Sequence, residues 1–175
     1  MATTYVLISS NTLSSSAASV TFSSIPATYT DLVLKVSARG TYGNTYDNPT
    51  LIFNNDTSAL YSGTGLRGTG SAAASLGSSG DTWNWVYIYI NGSTTTANSF
   101  GNLEIYIPNY NSTTSKPTSS FAATETNATG TFMGTTANLY RGTSAITSIT
   151  LNDANGTSSQ FVSGSSFYLY GIKNS

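Results

Sequence analysis

The stretch Asp31-Leu-Val-Leu-Lys-Val-Ser-Ala-Arg39 reads as a β-strand with one dry and one wet face. Side chains alternate across a strand with a period of two. Leu32, Leu34, Val36 and Ala38 therefore share one side, while Val33, Lys35, Ser37 and Arg39 share the other. The same pattern sets Leu103, Ile105 and Ile107 against Asn102, Glu104 and Tyr106. A chain assembled from such segments folds as sheets that each bury one face.

Working outward, short apolar runs recur at Tyr5–Ile8, Val20–Phe22, Leu51–Phe53, Trp83–Ile90, Phe121–Ala123, Phe132–Met133, Ile146–Leu151 and Phe167–Ile172. Clusters of Gly, Asn, Ser and Pro separate them, as turns require. No stretch sustains a 3.6-residue apolar period with caps, so helix is not expected. At 175 residues the chain has the length of one domain able to bury roughly two-thirds of its unfolded surface. The sequence thus predicts an all-β fold. It is a single-domain antiparallel β-sandwich over residues 1–175, jelly-roll-like, with eight to ten strands and long Ser/Thr/Gly-rich loops. An immunoglobulin-like sandwich is the second choice, weakened because the chain has no Cys for the inter-sheet disulfide.

Two runs break the dry-and-wet rule. In Trp83–Ile90, Val86, Ile88 and Ile90 alternate with Trp83, Trp85, Tyr87 and Tyr89, so neither face is polar. In the final run Phe167 and Leu169 oppose Tyr168 and Tyr170. If the aliphatic sides form the core, Trp83, Trp85, Tyr87, Tyr89, Tyr106, Tyr168 and Tyr170 make an outward aromatic band that something must cover. Three covers are open: the protein's own loops at residues 54–82 or 108–120, a neighbouring subunit, or a sugar stacked on the rings. Arg39 and Arg141, near strand ends, read either as loop anchors or as partners for an acid on a neighbouring subunit.

Composition narrows the chemistry. The chain has no His and no Cys, and charged residues are 7% of it, while Ser and Thr make up about a third. Without His no Ser is conventionally activated as a nucleophile, and the nearest lysine arrangement, Ser112–Lys116, reads as a loop before Pro117. Asp81 and Glu104 are the one conceivable glycosidase pair. Gly63–Gly68 fits GxGxxG but follows no buried parallel strand, and reads as a flexible loop. Asn152–Gly156 matches only the start of a calcium loop and reads as a turn. The expectation is a non-enzymatic protein with no catalytic residues, cofactor or metal. A net charge of −1 with scattered cations offers no footprint for nucleic acid. No apolar run reaches the length of a membrane span, and residues 1–5 lack the pattern of a secretory signal, so synthesis in a cytosol without membrane insertion is expected.

Both ends of the chain carry a family likeness. Tyr5–Leu13, Ala18–Arg39 and the closing Phe167-Tyr-Leu-Tyr-Gly-Ile-Lys173 resemble small virion proteins of tailed bacteriophages, including phages of aquatic bacteria and cyanobacteria. The likeness covers the first 40 residues and the last ten, about a third of the chain. It implies localisation in the virion, as a capsid decoration (cement) protein or a tail-fibre protein, and supplies no catalytic residues. No fibre shaft of heptads or repeats is evident, which favours decoration. The partners expected are further copies of itself, with a trimer implied by the family, and the major capsid protein or tail proteins. The alternative is a tail-fibre or receptor-binding protein recognising host glycans.

Overall fold

A computed structural model describes residues 4–85, 87–153 and 159–173. Thirteen strands are formed and none of the described residues is helical. In chain order they are β1 (Tyr5–Thr12), β2 (Ser19–Phe22), β3 (Asp31–Ala38), β4 (Tyr46–Asp47), β5 (Thr50–Phe53), β6 (Tyr61–Gly68) and β7 (Ala73–Asp81). Then follow β8 (Ile90–Asn91), β9 (Gly101–Ile107), β10 (Lys116–Glu125), β11 (Thr131–Tyr140), β12 (Ile149–Asn152) and β13 (Ser166–Ile172). Eight of them form one antiparallel sheet in the order β1-β13-β3-β9-β10-β11-β6-β7. Against it lies a sheet of only three strands, β2-β12-β5, and a short β4-β8 ladder.

The fold is an antiparallel β-sandwich of very unequal sheets. The faces of β3 and β9 are as alternation predicts, with Leu32, Leu34, Val36, Leu103, Ile105 and Ile107 all buried between the sheets. Phe167 and Leu169 of β13 extend this layer, and Val20, Phe22, Leu51, Phe53, Ile149 and Leu151 meet it from the small sheet. Three strands cannot cover eight. The rest of the inner face is closed by Phe53, Tyr61 and Tyr140, whose rings lie 4.9 to 6.4 Å apart, and by Tyr87, Ile88 and Tyr89, with Trp85 packed against them.

That segment corrects the sequence reading. Among the described residues of Trp83–Ile90, only Asn84 bridges to Leu51 and only Ile90 belongs to a strand, β8. Val86 lies outside the described residues. Tyr87 to Ile90 carry no polar side because all four are buried. Tyr87 takes a φ of 48°, which ends any extended run, and lets Tyr87 and Tyr89 lie over β6 and β11. Glycines make the seat: a Cβ at Gly65 would stand 3.0 Å from the Tyr87 ring, and one at Gly134 would stand 2.5 Å from the Tyr87 carbonyl oxygen.

The loops expected to cover the aromatic band also differ. Most of 54–82 is the β6–β7 hairpin, which lengthens the large sheet instead of folding over it. Gly63–Gly68 is therefore strand, and Tyr87 packs where a side chain at Gly65 would stand. Residues 116–120, assigned to a loop, open β10, with Pro117 on its exposed side and outside the span that pairs with β9. The strand count exceeds eight to ten because β6, β7 and the two-residue β4 are added to the expected runs. Residues 154–156 of the calcium-like stretch lie outside the described residues.

Candidate interaction surface

Among the described residues no other layer covers the outer face of the large sheet, and register fixes which residues share it. One cross-strand row runs Ser75, Leu66, Thr135, Phe121, Glu104, Lys35, Tyr168, Ser10. The neighbouring row runs Gly77, Thr64, Ala137, Ser119, Tyr106, Val33, Tyr170, Leu7. Large apolar side chains stand open at both ends of this surface: Leu66 is 59% exposed, Phe121 48%, Met133 41%, Tyr5 and Leu7 50% each.

The β1 end is an aromatic half. Tyr5 and Tyr170 meet edge to face with centroids 6.3 Å apart, and Tyr106 and Tyr170 flank Val33 in register, leaving it 2% exposed. The Tyr106 hydroxyl donates to Asp31 Oδ2 at 2.7 Å, and this bond to a carboxylate pushes the phenol up to about 12. The β6 end is apolar without tyrosines, with Leu66, Phe121 and Met133 around small residues. Where Thr64, Thr135 and Ala137 leave room beside Leu66, a hollow of about 420 Å³ opens. Between the halves Lys35 Nζ meets Glu104 Oε2 at 2.7 Å, both half exposed, a pair worth ~1 kcal/mol at most in solvent.

Seven strand spacings of ~4.8 Å and a strand length of ~25 Å give this face an area of ~850 Å². A standard protein interface needs about 800 Å² from each partner. The surface therefore has the size and the apolar content for a protein partner. The residues here do not form a nucleophile with a base. Asp81 and Glu104 stand four strands apart, ~19 Å, too far for a glycosidase pair. Lys116 is fully buried on the inner face, where its ammonium donates to the carbonyls of Gly142 (3.0 Å) and Ser144 (2.6 Å). Burial lowers its pKa, and it activates no serine in this arrangement.

Of the residues singled out from sequence, Tyr106, Tyr168 and Tyr170 lie on this face, and the other four aromatics do not. Trp83 is exposed elsewhere, Trp85 packs partly against the core, and Tyr87 and Tyr89 are buried. Tyr87 and Tyr89 belong to an inner cluster in which Tyr89 sits 5.0 Å from Tyr46 and 6.5 Å from Phe132, with the Arg67 guanidinium 5.6 Å over Tyr87. Leu66, Phe121 and Met133 were missed. The only signal for them was alternation in β6, β10 and β11, which Gly, Ser and Thr on the inner positions obscure.

Both arginines are loop anchors. Arg141 donates to the Ala59 carbonyl at 2.6 Å. Arg39 donates to Thr95 Oγ1 (2.7 Å) and to the carbonyls of Thr96 (2.6 Å) and Ser93 (2.7 Å), pinning the 92–99 loop. Glu125 holds the same loop from the opposite strand end. It accepts from the backbone N–H of Ala128 and Thr96 and from the hydroxyls of Ser99 and Thr96, which lowers its pKa from 4.5 to about 2. A depressed folded-state pKa stabilises the fold above the ordinary value, and that contribution disappears as pH falls from 4.5 towards 2. Glu125→Gln is therefore expected to flatten the acid limb of a stability–pH curve in this window. An unaltered acid limb would show that the carboxylate does not hold the loop.

No family model matches the chain, and no curated protein does. Among solved structures, a galectin of Caenorhabditis elegans matches over 98% of this chain and 96% of that chain, at 9% identity and a TM-score of 0.33, a likeness too remote to bear on function.

Proposed function

We propose that the chain is a non-enzymatic structural protein of a tailed-bacteriophage virion, a capsid decoration protein that lies on the shell through the outer face of its eight-stranded sheet. The observation that carries this reading is the size and apolar content of that open face, with Leu66, Phe121 and Met133 exposed together. A face of this kind on a soluble domain calls for a protein cover. The likeness of the first 40 and last ten residues to phage virion proteins supplies the setting.

Decoration also suits the chemistry of the chain. Cement proteins associate through repeated contacts on a symmetric shell, and a Cys-free chain has no thiol to oxidise. The test is the position of the labelled protein in intact particles. Label over the shell at its symmetry positions is the expected result, with loss of the protein lowering particle stability and leaving adsorption intact. Label confined to the tail overturns decoration and makes host recognition the function.

A further inference from the structure

We infer that β7 is a self-pairing edge, taking β7 of a second copy of this chain as an antiparallel ninth neighbour of the large sheet. The inference depends on β7 alone and stands whether or not the chain is a virion component.

Among the described residues the large sheet ends in β1 and β7, with no further strand paired to either. A sheet edge presents unpaired N–H and C=O groups, and folded proteins usually blunt it with charge, proline, a bulge or a cover. On β1 the register shifts between Leu7 and Ser9, leaving Ile8 unmatched, and a bulge of this kind bends an edge away from pairing. On β7, by contrast, seven consecutive residues, Ala73 to Ser79, pair with β6 in unbroken register from Gly68 to Ser62. The shift on this strand comes only after Ser79, at Gly80 with its φ of 71°. Residues 73–80 include no charge and no proline, none of 73–79 is buried, and β6 is the strand's main neighbour. Alternate residues of β7 thus direct both backbone groups away from β6 with nothing to discourage a partner.

The side chains select a second copy as that partner. A two-fold axis at Leu76 sets Leu76 against Leu76, Ser75 against Gly77, Ala74 against Ser78 and Ala73 against Ser79. No like charges meet, no bulky residue is opposed, and the strand's single large apolar side chain, 36% exposed, gains an apolar cross-strand partner. Another protein's strand would find no feature on β7 to recognise except Leu76. Isologous pairing predicts an even-numbered assembly, where the family likeness implies a trimer.

The chain has no Cys, so a single introduced thiol reports only on its own contact. Leu76→Cys, Ser75→Cys, Ser79→Cys and, on the other edge, Ser10→Cys would be oxidised separately in the full-length protein. Across an antiparallel pair, opposed Cβ atoms lie close enough for a disulfide only near the axis. The expected result is at least tenfold more disulfide-linked dimer from Leu76→Cys than from Ser10→Cys, with yield falling towards Ser79. Adding Ser75→Lys and Ser79→Lys should reduce the Leu76→Cys yield at least fivefold, while circular dichroism stays unchanged. Equal yields at all positions, preference for Ser10, or a yield insensitive to the lysines overturns the proposal, as does a trimer in sedimentation with no β7 cross-link.

Discussion

Gly134→Val is expected to destabilise the protein by about 3 kcal/mol, although valine is among the best strand residues. A Cβ at this position would stand 2.5 Å from the Tyr87 carbonyl oxygen and 3.0 Å from Cδ2 of Tyr89. The first of these is backbone, so relief cannot come from rotating a side chain. It would have to come from lifting Tyr87, Ile88 and Tyr89, which close the inner face where the three-stranded sheet ends. Tyr87 already occupies the left-handed region at φ 48°, where a non-glycine residue is strained and held only by its surroundings. Lifting the segment would expose Ile88 and Tyr89, at 0% and 3% the best-buried residues between Tyr87 and Tyr89. For a chain of this size ~3 kcal/mol lowers the melting temperature by roughly 6 to 12 °C. Gly43→Val is the control, since nothing lies within 4 Å of a Cβ there. A Gly134→Val protein that melts within a degree or two of the parent would show that the segment does not rest on β11.

The same segment marks where the sequence stops being legible. In β3 and β9 one face is polar, so alternation alone assigns Leu34 to the core and Lys35 to solvent, and both assignments hold. In Trp83–Ile90 both faces are apolar, and alternation cannot distinguish a strand with an aromatic outer band from an irregular run buried on both sides. The deciding features are distant: Gly65 and Gly134, which make room for Tyr87, are 22 and 47 residues from it. The β6–β7 hairpin was hidden for the opposite reason. Between Tyr61 and Asp81 its strands are mostly Gly, Ser, Thr and Ala, with Leu66 and Leu76 the large aliphatic residues, a composition that reads as loop, and they are ordered by the pairing of β6 with β11 and of β7 with β6. Tyr106, Tyr168 and Tyr170 were legible as outward because Leu and Ile hold the alternate positions. Phe121 was not, because Ser120 and Ala122 beside it gave no clear dry side.

Phe121→Asp and Leu66→Asp are each expected to weaken association with the particle at least thirtyfold, about 2 kcal/mol, while leaving the melting temperature within about 2 °C. Both side chains are roughly half exposed in the free protein, so the fold rests little on them. In a covered interface each would be desolvated, and a carboxylate placed there would have no cation beside it. Tyr87→Ala should behave in the opposite way, lowering stability by about 3 kcal/mol while the folded fraction still binds, because that ring packs on the inner face. The measurement is co-sedimentation of purified variants with particles that lack the protein, alongside thermal unfolding of each variant alone. Full binding by both aspartate variants would exclude the outer face of β6 and β10 as the contact. The aromatic half around Tyr5, Tyr106 and Tyr170 would then be the remaining apolar part of the same sheet, and loss of binding in Tyr170→Asp would locate the contact there. The two halves are separated by the Lys35–Glu104 pair, so a partner engaging only one of them leaves that ion pair in solvent and its affinity nearly independent of salt. A partner spanning both halves must desolvate the pair, and Lys35→Met with Glu104→Leu would then bind as tightly as the parent or more tightly.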